Sequence, residues 1–442
     1  MSITAIGYLV IYFSGLAKSL AGRPIYGVFA YLFSFYMYAP GRWWGHEVPE
    51  LRWAFIAAII TLLSILVWNQ GKSNWFSRKE FKLYALYVAW VWLQNYWALN
   101  PAYHFEYTIM VTKFLVLIYI FSATIKTQNE VVLFMLANTL GCAYFGWLGL
   151  TQHTGGRFET VGTPGMDDAN LLSIHMAPIL IASSYLLLCD FGKKKYLLVP
   201  FIVLILNAIF LTQSRGGLLA IVFSGIIALF FIPKQVKKQF SVFVLVALIG
   251  GVSIAGDELT DRITQVTDAE NIDETDKSAY SRLVIIDAQI NMLFDRPLIG
   301  AGHWGTLVLS PDYIDDTYLT DTNAYDRDEE EDRRRASHNL LMSLLVDQGL
   351  IGGGIFVLMV GLLFKRFFGL RKYIIDHGDD NKIIVFVGLN IALICIWVSS
   401  MFANSLRLEV DLWFYFLIST LYSLIIKDES YMKYASEKHR IY

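Results

Sequence analysis

The chain has 442 residues, 55% of them hydrophobic and only 17% charged, with a formal net charge of −2 and a mean hydropathy of +0.47. Repeated apolar runs of about 15–22 residues, parted by short polar loops, exclude a soluble fold and mark an all-α, multi-spanning membrane protein. No basic, aromatic surface suited to nucleic acid is present, and Cys142, Cys189 and Cys395 lie in or beside apolar runs at a spacing that fits no metal site.

In chain order the apolar runs fall near 3–17, 25–39, 53–68, 83–98, 108–124, 131–151, 171–189, 196–212, 217–232, 240–255, 340–364, 383–403 and 412–426. The first is short and carries Gly7 and Gly15. It reads either as a thirteenth span or as an interfacial helix, and no removable signal peptide is expected. Arg42 with Trp43 and Trp44 reads as an interfacial anchor.

Basic residues alternate between loops. Lys18 and Arg23, then Lys72 to Lys82, then Lys126, Lys193–Lys195, Lys234–Lys238, Lys365–Lys372 and the tail from Lys427 form one set. The positive-inside rule places that set in the cytoplasm and every second loop outside. About twelve spans then run from residue 25 onward, and the C-terminus is inside. The expected organisation is transmembrane helices over 1–255, a large, partly helical periplasmic loop over 256–338, and transmembrane helices with a cytoplasmic tail over 339–442. The loop holds 20 acidic against 8 basic residues. Within it Leu283, Ile286, Ile290 and Leu293 have helical spacing across Arg282–Phe294, and Asp295-Arg296-Pro297 ends that helix. The run Asp326–Arg335 reads as solvated or self-paired charge.

Arg215 is the most unusual residue. Uncharged apolar stretches lie on both sides of it, Tyr196–Leu211 and Leu218–Ile232. At mid-bilayer a guanidinium costs roughly 2.5–3.5 kcal/mol on insertion scales, so it needs a cavity, an ion pair or a ligand. Because Lys193–Lys195 and Lys234–Lys238 are both inside, Ser214-Arg215-Gly216-Gly217 becomes an outer turn, with the glycines expected to permit the reversal.

The same sorting puts Arg42, His46, Arg52, His104, His153, Arg157, Arg282, His303, His338 and Arg407 outside. The cytoplasmic loops hold no glycine-rich phosphate loop, so neither ATP nor another cofactor is expected. No Gly-x-Ser-x-Gly elbow or Cys/His pair suggests covalent catalysis. His338 stands at the mouth of a span, where an imidazole can exchange a proton near neutral pH. The alternative is a solvated residue beside a capping Asn339. Asp167-Asp168 and Asp315-Asp316 lack further ligands at metal-binding spacing and read as solvated loop.

Taken together, Thr212-Gln213-Ser214-Arg215-Gly216-Gly217, Ser281-Arg282, Asp295-Arg296-Pro297-Leu298-Ile299-Gly300-Ala301-Gly302, Ser337-His338-Asn339 and Gly349-Leu350-Ile351-Gly352 resemble the O-antigen ligase/polymerase superfamily. The motifs cover roughly residues 205–355. The stretches Arg23–Gly27 and Trp43-Trp44-Gly45 also resemble a subgroup of O-antigen ligase family proteins. The resemblance implies a GT-C-like, metal-independent, inverting glycosyltransferase of a bacterial inner membrane, with its site facing the periplasm. It would move a glycan from undecaprenyl diphosphate to an acceptor hydroxyl, either on lipid A-core or on a growing glycan. Carried over by motif, Arg215 and Arg282 would hold the diphosphate and His338 would act at the acceptor, with Ser214 and Asn339 as further binding residues. The insert at 326–335 before His338 departs from that pattern. Repeat-unit polymerisation and protein O-glycosylation remain open within the family. Outside it, a glycolipid transporter is the competing class, although polar residues gathered at one face favour an enzyme.

Overall fold

The computed structural model describes the chain except residues 69–74, 160, 167, 233–236, 239, 242–244, 246–276, 315–333, 403–408, 429–430, 433 and 435–442. The described residues form α-helices and short 3₁₀ segments, with no strand among them. The helices are α1 Ile3–Leu20, α2 Ile25–Tyr36, α3 Trp53–Val67, α4 Lys79–Gln94, α5 Pro101–Thr124, α6 Gln128–Gln152 and α7 Ala169–Leu188. They continue with α8 Val199–Leu211, α9 Arg215–Phe231, α10 Lys277–Asp295, α11 Gly305–Tyr313, α12 Leu340–His377, α13 Asp380–Ser400 and α14 Glu409–Ile426.

Among the described residues, seven helical stretches are long and apolar enough to cross a membrane: α1, α5, α6, α7, Gly192–Leu211, α12 and α13. Three shorter apolar helices, Trp53–Val67, Arg215–Phe231 and Asp411–Ile426, join them. At 1.5 Å rise per residue, helices of 12–17 residues reach about 18–26 Å, short of a hydrocarbon core of about 30 Å. That shortfall keeps α2, α3, α4, α9 and Asp411–Ile426, five of the twelve expected runs, out of the seven. The first run has enough length to span, as an 18-residue helix. The run at 240–255 lies almost wholly outside the described residues.

The helices start where sequence chemistry supplies partners for unbonded N–H groups. Asn100 caps α5 ahead of Pro101, Thr127 and Glu130 form a reciprocal capping box at α6, and Asp379 caps α13. α7 and α13 pack along each other and form the centre, each 83% buried over its apolar window. α9 packs on both, and α12 on α4. α1 and Gly192–Leu211 are only 28% and 22% buried, so they lie at the periphery with apolar side chains outward. All three cysteines are buried among apolar neighbours.

Two local expectations are corrected. Trp43 is exposed, but Trp44 is buried against Tyr8, so only Trp43 is available as an anchor. The reversal before Arg215 is made by Gln213, at φ 50, not by the glycines. Gly216 and Gly217 lie inside α9, where their missing side chains permit close approach. A Cβ at Gly216 would stand 2.5 Å from Phe402 Cβ, and one at Gly217 1.9 Å from Ser173 Oγ.

Candidate functional site

The site grows from the start of α9. Ser214 is buried and accepts a hydrogen bond from the Gly217 amide at 3.3 Å, which caps the helix. Its own hydroxyl donates to Asn170 Oδ1 at 2.9 Å, tying α9 to the first turn of α7. The next residue, Arg215, projects an exposed guanidinium from the helix N-terminus.

The segment between α6 and α7 is bound to this turn. Phe158 N donates to Leu211 O at 2.8 Å, and Arg42 Nη1 holds Val161 O at 2.8 Å. Arg157 donates from Nε to Thr212 O at 3.2 Å and from Nη2 to Asn170 Oδ1 at 3.1 Å. Asp168 caps α7 by accepting from the amides of Asn170 and Leu171 at 2.7 and 3.2 Å. Asn170 is thus the shared bracket of Arg157 and Ser214.

Arg282 and His338 arrive from the other side. Arg282 sits on α10, and the strap after that helix is clamped to the membrane body. Ala301 N and Gly302 N donate to the carbonyls of Val346 and Asp347, and Leu350 N returns a bond to Pro297 O. The clamp closes at a kink in α12, where Gly349 adopts φ 65, and it leaves no room for a side chain. A Cβ there would lie 2.2 Å from Leu298 O, and one on left-handed Gly300 would lie 2.4 Å from the Gly349 amide. His338 directly precedes Asn339, whose side chain caps α12 through the Met342 amide at 3.0 Å.

The charges of these groups act on one another. Burial, then the positive charges of Arg215 and Arg157, hold the Arg282 guanidinium below its usual range. Desolvation and the Arg282 charge also lower His338 from 6.5, while Asp168 opposes them. Arg157, Arg215, Arg282, His338 and Asp168 therefore come, from four regions of the chain, near enough for their charges to act on one another. Among the described residues, no carboxylate makes an ion pair with any of the three arginines. Such a grouping suits a multiply charged anion, with a neutral imidazole beside it able to take a proton.

Of the residues expected from sequence, Arg215, Arg282 and His338 come together. Ser214 and Asn339 lie next to them, but their side-chain oxygens are committed to helix caps. Sequence reasoning placed Arg157 outside without giving it a role, read Asp168 as solvated loop, and did not single out Asn170. Asp168 just ahead of an apolar run carried an N-cap signal, whereas nothing in the spacing singled out Arg157. Asp315, Asp316, Arg407 and the run from Asp326 to Arg333 lie outside the described residues.

His104 and His303 form a separate, buried cluster. The His303 amide donates to His104 Nδ1 at 2.9 Å, so His104 Nε2 carries the proton that reaches Val91 O. The His303 ring stacks on Tyr107 at 4.0 Å, with Nδ1 3.6 Å from Asp347 Oδ2. The same carboxylate oxygen accepts from the Trp304 amide at 3.1 Å.

No curated protein matches this chain. Residues 200–357, which carry Arg215, Arg282, His338 and the clamp between α10 and α12, match the family model for O-antigen ligase. That match over residues 200–357, joined to the helical membrane architecture, makes this part of the chain similar to the O-antigen ligase-like superfamily.

Proposed function

We propose that this protein is a glycosyltransferase of the O-antigen ligase type. It transfers a glycan from undecaprenyl diphosphate to an acceptor hydroxyl of lipid A-core at the periplasmic face of a bacterial inner membrane. The family match over residues 200–357 supports the coarser part, a ligase- or polymerase-type membrane glycosyltransferase. The observation that supports the finer part is the grouping of Arg215 and Arg157 about Arg282, whose charge in turn acts on His338.

In this reading Arg215 and Arg282 hold the diphosphate through forked, charge-assisted hydrogen bonds. His338 takes the proton of the acceptor hydroxyl as its oxygen attacks the anomeric carbon. The bond from that carbon to the phosphate oxygen breaks on the opposite side, which inverts the configuration. Negative charge grows on the leaving diphosphate, and the fixed cations stabilise it. No metal is required, so chelators should leave the rate unchanged. The sidedness draws support from α12. Arg366, paired with Glu80 at 2.8 Å, lies 17 residues beyond the kink at Gly349, about 26 Å away at helical rise and beside the lysine-rich loops.

Glycolipid gels of a deletion strain test the assignment. Free polymer beside bare core is the expected result, and core bearing a single repeat would make the protein a polymerase instead. Transfer by the purified protein, lost in Arg215→Ala and His338→Ala, is the matching biochemical outcome. Flipping of glycolipid across vesicles without transfer would replace the enzyme by a transporter.

A further inference from the structure

We propose that Arg157 is a third guanidinium of the donor site, and that it reads the second phosphate that distinguishes a lipid diphosphate from a lipid monophosphate. The inference rests on the donor reading above and extends it to a residue that neither the motif resemblance nor the spacing singled out. Arg157 is built into the turn that presents Arg215. Its Nε and Nη2 are used on Thr212 O and Asn170 Oδ1. Among the described residues its Nη1 makes no hydrogen bond, and the side chain is exposed.

Arg42 shows what a purely structural arginine looks like in the same segment. Both of its Nη atoms are bonded, to Val161 O, Tyr36 O and Thr163 Oγ1, its guanidinium lies over the Tyr144 ring at 5.0 Å, and its one unbonded nitrogen, Nε, is buried and closed to a ligand. Arg157 instead stands among like charges close enough to depress Arg282. The nearby acid, Asp168, already spends one oxygen on two amides. Like charges gathered in one region disfavour one another, and an anion of comparable charge bound among them relieves that repulsion. Two guanidiniums suffice for one phosphate group; the third matches the extra phosphate of a diphosphate. Because Arg157 is anchored through two of its nitrogens, it can offer the remaining one without first being ordered.

The test measures binding of undecaprenyl diphosphate and of undecaprenyl phosphate to the full-length protein in nanodiscs. Arg157→Ala is expected to weaken the diphosphate about tenfold and the monophosphate less than threefold. Arg157→Lys, which keeps the charge but loses the fork, should fall between. If Arg157 only props the turn, both lipids weaken by the same factor, and that result overturns the proposal, as does unchanged binding. Should the alanine variant fail to fold, the lysine variant is judged by the same diphosphate-to-monophosphate ratio. The donor reading fails separately, if Arg215→Ala and Arg282→Ala bind the diphosphate as the parent does.

Discussion

Two polar clusters sit near the strap that joins α10 to α12, and they differ in what their side chains still lack. Around His303, most of the polar contacts are made within the protein, although the buried Asp347 Oδ1 has no hydrogen-bond partner among the described residues. Asp347 Oδ2 takes the Trp304 amide, His104 uses both ring nitrogens, and the Tyr87 and Tyr107 hydroxyls meet at 2.6 Å. Around Arg215, Ser214, Asn170 and Arg157 are caps and brackets, while Arg215 and His338 are exposed. Buried polar groups satisfied internally hold a fold together. Charged groups gathered without partners mark the place where a ligand completes the electrostatics.

The sharpest way to break this contrast is to delete from each cluster in turn. Arg215→Ala or His338→Ala should lower transfer per folded molecule by about 10²–10³, the range for removing one preorganised stabilising or proton-transfer group, with thermal unfolding nearly unchanged. Asp347→Ala should do the reverse. It leaves the Trp304 amide without its acceptor and removes the partner of His303, costing about 2–3 kcal/mol of stability. The unfolding transition in detergent should fall clearly, with the donor KM of the surviving protein close to that of the parent. A collapse of KM in Asp347→Ala with unchanged stability would merge the two clusters into one site.

A smaller perturbation moves the site without removing any of its charges. Gly216→Ala places a Cβ 2.5 Å from Phe402 Cβ, an atom that cannot swing away, so the start of α9 must shift. Arg215 shifts with it. Misplacement on the scale of an ångström is expected to raise the donor KM about tenfold, with no change in the pH dependence of the rate.

Gly216 also shows where the sequence was readable and where it was not. Apolar periodicity and caps located most helices, because burial and N-cap chemistry are local and repeat along the chain. Arg215 stood out because a charge between apolar runs is costly whatever the tertiary structure. The role of the two glycines was misassigned, since close approach depends on Phe402 and Ser173, which are distant in sequence. Arg157 was overlooked for the same reason: its significance comes from Thr212 and Asn170, brought beside it only by folding. Helix length set a further limit. Runs that hydropathy counts as spans fold as helices of 12 to 17 residues when loops and caps take the ends.

The smallest expected effect concerns Asp168, which belongs to the open cluster by position and to the structural frame by its bonds. Asparagine at that position keeps an N-capping oxygen and removes only the charge. Asp168 raises the His338 pKa, opposing desolvation and Arg282, which lower it from 6.5. Removing the acid therefore lets the imidazole fall further. As the general base His338 must be neutral, so activity disappears when pH drops through its pKa. In Asp168→Asn the acid limb of the pH–rate profile should move to lower pH by less than about one unit, with the plateau rate and the unfolding temperature little changed. The shift should shrink at high ionic strength, because the interaction crosses an open, solvated space. A limb that moves upward would mean that Asp168 serves the reaction by another route than its charge on His338. If the limb stays in place when His338 is known to be the base, the two groups do not share the space described here.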